Sequence, residues 1–83
     1  MKEQLKKEFL RIYHLPRKEM EAEMLPFLQN NFNLDNQPGK FLNHFFSDAA
    51  KSITTEDYPA VLYGMIYGAF DDLISREGNI KNA

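Results

Sequence analysis

The sequence predicts an all-α fold, a compact four-helix bundle-like single domain. Apolar residues recur at spacings of three and four along four segments, as they do on one face of a helix. No segment alternates apolar and polar residues for long enough to predict a strand, and no Asn-Gly or Asp-Gly pair predicts a hairpin turn. The 83 residues, 43% of them hydrophobic, fit one domain over residues 1–83, because a typical domain has roughly 100 residues.

The first two helices are predicted on either side of Pro16. One face of helix 1, at about 3–14, is apolar, and its residues are Leu5, Phe9, Ile12 and Tyr13. Helix 2 is predicted over about 17–32, and its apolar stripe consists of Met20, Met24, Phe27 and Leu28. Pro26 lies inside this stripe. Because proline cannot donate a hydrogen bond to the carbonyl four residues earlier, we expect a break or kink in helix 2 at Pro26.

A loop rich in Asn follows helix 2 and ends in Pro38 and Gly39. Asn and Asp side chains compete for backbone hydrogen bonds, and Pro and Gly favour turns, so this segment is the most loop-like of the chain. Helix 3 is predicted from there, over about 38–53. Its apolar positions are Leu42, Phe45, Phe46, Ala49 and Ile53.

Helix 4 is predicted over about 56–77 and is expected to be the most buried helix. Thr54 and Thr55 are candidate caps for its first turn, and Gly78 is a favourable residue just beyond its end. The tail at 79–83 is expected to fray.

The composition excludes several classes of function. Ten Lys and Arg residues against twelve Asp and Glu give a net charge of −2, which provides no overall attraction for a nucleic acid. With no cysteine, the chain cannot form disulfides, cysteine-ligated zinc sites or thiol nucleophiles. We recognise no secretory signal and no apolar run of the roughly 20 residues that span a membrane. The sequence therefore predicts a soluble cytoplasmic protein without a transmembrane segment.

The residue types of catalytic sites occur without the required spacing. His14 and His44 belong to no two-histidine metal motif, so no metal and no cofactor are expected. His44 is followed by Ser47 and Asp48, but three residues on one straight helix do not place an acid and a nucleophile on opposite sides of an imidazole. Adjacent carboxylates such as Asp71 and Asp72 diverge by about 100° on a helix. The protein is therefore predicted not to be an enzyme.

Helix 4 has an apolar arc of about 200°, whereas a surface helix needs a stripe only somewhat wider than 100°. One half of the arc consists of Leu62, Met65, Ile66, Ala69 and Leu73. The other half supplies the partner-binding candidates, which are Tyr63, Tyr67, Phe70 and Ile74. The remaining sector supplies candidates for close helix packing, which are Ala60, Gly64 and Gly68. Three interpretations stay open: a central helix of the bundle, an interface with a partner or a second copy, and a small-molecule pocket.

The functional prediction is a small non-catalytic helical module that binds a protein partner, or a second copy in a homodimer, as an immunity, inhibitor or regulatory protein. Bacteriocin-immunity proteins and phage regulators share this size, helical architecture and lack of catalytic residues, which is an analogy of fold alone. The alternative is a small regulator that binds nucleic acid through a basic face on helix 1, formed by Lys6, Lys7 and Arg11. Nucleic acid is the less favoured partner because the net charge is negative.

Overall fold

The computed structural model describes residues 2–47 and 60–81. Within these ranges the chain forms four α-helices, α1 (Lys2–Tyr13), α2 (Arg17–Asn31), α3 (Gln37–Phe45) and α4 (Ala60–Ile74), followed by a single 3-10 turn (Glu77–Asn79). The predicted compact all-α fold is confirmed. Several predictions fall outside the described residues: Asp48 and the other residues predicted for helix 3 up to 53, the caps Thr54 and Thr55, the predicted start of helix 4, and the last two residues.

A single apolar core joins these helices. Phe9 of α1 stacks on Phe70 of α4, with the ring centroids 3.8 Å apart and the rings inclined by 5°. The fully buried core side chains are Phe9, Ile12, Met20, Met24, Leu28, Phe32, Leu42, Phe46, Ile66, Leu73 and Ile74. No polar or charged residue of the described ranges is buried with them. The fold is therefore held together mainly by apolar burial, which stabilises by roughly 25 cal/mol per Å².

Helix α2 is continuous through Pro26, so the predicted break is wrong. Pro26 and Ala22, whose carbonyl would have accepted the missing hydrogen bond, both lie on the exposed side of α2. Water can therefore replace that bond, while Met20, Met24 and Leu28 are completely buried on the other side. Apolar burial outweighs the local preference of proline to end a helix.

Helix α3 ends at Phe45, eight residues before the predicted end at 53. Both the backbone N–H and the hydroxyl of Ser47 donate to the carbonyl of His44, at 3.1 and 2.7 Å. A serine that bonds the backbone in this way competes with the next turn of a helix. The local hydrogen bonding of Ser47, which apolar periodicity does not register, ends α3.

Helix α4 ends at Ile74 rather than near 77, and the chain beyond it is held in place rather than frayed. The backbone N–H of Asn33 donates to the carbonyl of Asn79 at 2.7 Å, and the N–H of Lys81 donates to the carbonyl of Asn31 at 2.9 Å. Between these bonds Ile80 is only 7% exposed. The prediction of a frayed tail is therefore wrong for Asn79 to Lys81, because an apolar side chain and two backbone bonds fix this segment.

Helix α4 buries one side only. Its buried residues are Ile66, Phe70, Leu73 and Ile74, the same number that α2 buries. Among the described residues it therefore buries no more than α2, whereas the sequence predicts it to be the most buried helix. Most of its other residues, from Ala60 to Asp72, are exposed.

Candidate interaction surface

The exposed side of α4 carries most of the large apolar side chains that the described part of the protein leaves in solvent. Val61 is 66% exposed, Met65 48% and Tyr67 47%, and the fourth such residue is Leu10 of α1. Large exposed apolar groups gathered on one element indicate an interaction site more strongly than isolated ones. We define the α4 face as the exposed residues Val61, Gly64, Met65, Tyr67 and Gly68.

The structure separates the four partner-binding candidates into two pairs. Phe70 and Ile74 are 3% and 2% exposed and belong to the core, so they offer no surface to a partner. Met65, which the sequence assigned to the core half of the arc, is exposed instead. The sequence correctly identifies the whole arc as apolar. The sector that faces the core is displaced around the helix axis by about one residue position from the predicted sector.

Tyr63 and Tyr67 contact α1 through their rings. Tyr13 of α1 packs edge-on against both, with centroid distances of 5.6 Å to Tyr63 and 5.8 Å to Tyr67. The Tyr13 hydroxyl donates to the backbone carbonyl of Tyr63 at 2.8 Å, and burial, followed by the nearby Tyr63 and Tyr67, raises the pKa of Tyr13. Tyr63 is thus half-buried, whereas Tyr67 packs on α1 with one edge and exposes the other.

The predicted close packing at Ala60, Gly64 and Gly68 is not found among the described residues. All three are exposed, and a Cβ added at Gly64 or Gly68 meets no atom within 4 Å. The glycine at which two segments do come close is Gly39, where an added Cβ would lie 2.5 Å from the Cα of Leu34. The sequence predicts a turn at Gly39 but not the close approach of Leu34. The signal for a special role of this glycine is its position in the first turn of α3, just after Asn36 and Pro38.

A shallow, widely open groove of about 540 Å³ lies beside the α4 face, between α3 and α4. Its lining residues are Gln37, Pro38, Phe41, Met65, Gly68, Ala69, Asp71 and Asp72. We call it the α3–α4 groove. The sequence presents Asp71 and Asp72 only as adjacent carboxylates, because their position beside this groove depends on how α3 packs against α4.

The predicted basic face of α1 is partly neutralised. Arg11 bonds Glu8 through two nitrogens, at 2.9 and 2.7 Å, and also bonds Glu23 of α2 at 2.9 Å. The hydrogen bond from Arg11 lowers the pKa of Glu8, and these two carboxylates raise the pKa of Arg11. Lys6 and Lys7 are exposed and form no ion pair with a described residue. Arg11 therefore joins α1 to α2, and two lysines remain as the free basic groups of this trio.

His44 and Ser47 are joined through the backbone, and Asp48 lies outside the described residues. The Ser47 hydroxyl donates to the carbonyl of His44, so this proton is not directed at the His44 ring. Among residues 2–47 and 60–81, no three His, Cys, Asp or Glu residues come together as a metal site.

No protein-family model, curated protein or solved structure matches this chain. None of the helices that the structure describes has the length and apolar character needed to cross a membrane.

Proposed function

We propose that the protein is a non-catalytic helical interaction module that binds a protein partner through the α4 face and acts in the cytoplasm as an immunity, inhibitor or regulatory protein. The observation that carries this proposal is the exposure of Val61, Met65 and Tyr67 on one helix. Covering such side chains gains roughly 25 cal/mol per Å² of apolar area. Aromatic residues and Met are also enriched in protein interfaces.

The composition of the α4 face supports binding rather than catalysis. Apart from the Tyr67 hydroxyl, the five residues of the face are aliphatic, thioether and glycine groups, which suit contact with a partner, and the carboxylates Asp71 and Asp72 lie further along the same exposed side of α4. Gly64 and Gly68 have open space above them, so a partner side chain can approach the backbone of α4 there. A rigid helix that presents apolar side chains beside a shallow gap is suited to docking a second helix.

An affinity capture from the source organism tests the proposal with matched variants. The double variant Val61→Gln/Met65→Gln removes the apolar groups without adding charge, and Ala22→Gln/Asn30→Gln makes two neutral changes at exposed positions of α2. Both should melt close to the wild type, because exposed substitutions change stability by about 0.5 kcal/mol or less each. We expect a bound protein that the wild type and the α2 variant retain and the α4 variant loses. Equal retention by both variants would show that the α4 face is not the binding site.

A second candidate function, nucleic-acid binding through α1, has support from the two exposed lysines Lys6 and Lys7. Its test is the shift of labelled DNA at several salt concentrations, with Lys6→Gln/Lys7→Gln as the variant. Phosphate contacts give affinity that falls steeply with salt. A salt-dependent shift that this variant abolishes would favour the α1 function over the α4 function.

A further inference from the structure

We propose that the α3–α4 groove binds a Lys or Arg side chain of the partner, carried on an apolar helical segment. This inference rests on the proposed function, because the groove adjoins the α4 face and shares Met65 and Gly68 with it.

The walls of the groove suit the stem of a long basic side chain. Pro38 and Phe41 of α3 lie on one side, and Met65 and Ala69 of α4 lie on the other. Gly68, also on the α4 side, leaves open space above the helix there. Lys and Arg pack their methylene groups along apolar surface while the charged head stays polar. The ring of Phe41, which is half-buried and stacks on Phe45 at 5.9 Å, provides a face that attracts a cation.

The acidic residues of the groove supply the charge complementarity. Asp71 and Asp72 are both exposed and line the groove together with the apolar residues. Lys6 lines a small neighbouring depression with Asp71, and Arg76 lines another with Asp72. Neither cation, nor any other in the described ranges, forms an ion pair with these carboxylates. An incoming Lys or Arg thus meets two carboxylates that no such pair already neutralises.

The same charges disfavour a second copy of the chain as the occupant. If two copies paired in parallel along α4, Asp71 and Asp72 of one copy would face the same two residues of the other. If they paired antiparallel, these residues would approach the start of the other α4, where the exposed residues Ala60, Val61 and Gly64 offer no positive charge to complement them. Like charges brought together at an interface suppress the wrong pairing. The complementary partner is therefore a different protein with a basic and apolar segment.

A peptide selection tests this chemistry without knowledge of the natural partner. The probe is a phage-displayed library of random 16-residue peptides, selected on the immobilised full-length protein. We expect the enriched peptides to combine apolar residues at helical spacing with Lys or Arg. Their affinity should fall about tenfold in Asp71→Asn/Asp72→Asn, because a bound peptide that covers these carboxylates would lose its charge pairs with them. The control Glu3→Gln/Glu19→Gln removes two exposed carboxylates elsewhere and should leave the affinity unchanged.

The outcomes distinguish this inference from the proposed function. One outcome is that the selected peptides bind Val61→Gln/Met65→Gln more weakly, contain no excess of Lys or Arg, and bind Asp71→Asn/Asp72→Asn as well as the wild type. This outcome would overturn the cation site and leave the α4 face as the binding site. Peptides insensitive to both variants, or no enrichment at all, would contradict both proposals. Sedimentation equilibrium of the protein alone tests whether a second copy of the chain occupies the groove. Self-association of the wild type that Val61→Gln/Met65→Gln abolishes would show that a second copy occupies this surface and would overturn the choice of a different protein as the partner.

Discussion

The side-chain amide nitrogen of Asn36 donates to the side-chain oxygen of Asn79 at 2.8 Å, and each of the two residues also caps a helix. The Asn36 oxygen accepts the backbone N–H of Gly39 at 2.8 Å in the first turn of α3. The Asn79 nitrogen donates to the carbonyl of Leu73 at 3.1 Å in the last turn of α4. One amide pair therefore joins the start of α3 to the end of α4, the two helices that form the α3–α4 groove.

We expect Asn36→Ala to lower the free energy of unfolding by about 0.5–2 kcal/mol, the usual range for loss of a helix cap. Asn36→Asp keeps an oxygen for Gly39 but loses the donor to Asn79 and to the carbonyl of Asn33, so it should destabilise the fold as well. Urea unfolding at neutral pH measures both. Asn30→Ala, at an exposed position of α2, is the control for replacing an asparagine. If Asn36→Ala unfolds like the control, the amide pair does not stabilise the fold.

Glycine substitutions should have opposite effects in α3 and α4. Gly39→Ala places a Cβ 2.5 Å from the backbone of Leu34, and overpacking of this kind costs about 1–3 kcal/mol. Gly64→Ala and Gly68→Ala meet open space, so they should stabilise by up to about 1 kcal/mol through helix propensity. Thermal melting separates the two classes. A loss of stability at Gly64 or Gly68 would instead show that another segment packs closely there, as the sequence analysis predicted.

Neighbouring aromatic residues of α4 should differ sharply in their contribution to stability. Phe70→Ala removes the ring that stacks on Phe9 in the core, and such truncations cost about 3–5 kcal/mol. Tyr67→Ala should cost less, because that side chain is 47% exposed, but it should weaken partner binding. Chemical denaturation and a binding assay on the folded protein measure the two effects. Equal destabilisation by both variants would mean that Tyr67 is a core residue and would remove it from the α4 face.

The raised pKa of Tyr13 predicts a loss of stability in alkali. The unfolded chain releases the phenolic proton from about pH 10, whereas the folded chain retains it to higher pH. The contribution of Tyr13 is therefore complete below about pH 10 and declines as the pH rises through the folded pKa. The difference in unfolding free energy between the wild type and Tyr13→Phe should accordingly shrink between about pH 8 and about pH 11. A difference that is independent of pH would contradict a raised pKa of Tyr13 in the folded protein, since the other tyrosines are common to both proteins.

The sequence by itself determined the helical class and the apolar face of each helix. These properties depend on local spacing: Met20, Met24 and Leu28 lie on one face of α2 wherever that helix packs. The same reasoning identified helix 4 as unusually apolar. It could not decide which part of the 200° arc faces inward, because that depends on which helices cover it. Phe9 covers Phe70, and the rest of the arc is shared among the core, α1 and solvent.

Only the tertiary structure decided the features that depend on segments distant in sequence. Pro26 is tolerated because the other side of α2 is buried, and Ile80 is ordered because it packs beside the loop of Phe32, with which it forms a bridge. The α3–α4 groove likewise exists only after Phe41 and Met65 are brought together. The periodicity of apolar residues predicts the secondary structure of a segment and its apolar face. Burial and surface shape follow from contacts between segments, and local spacing in the sequence does not specify those contacts.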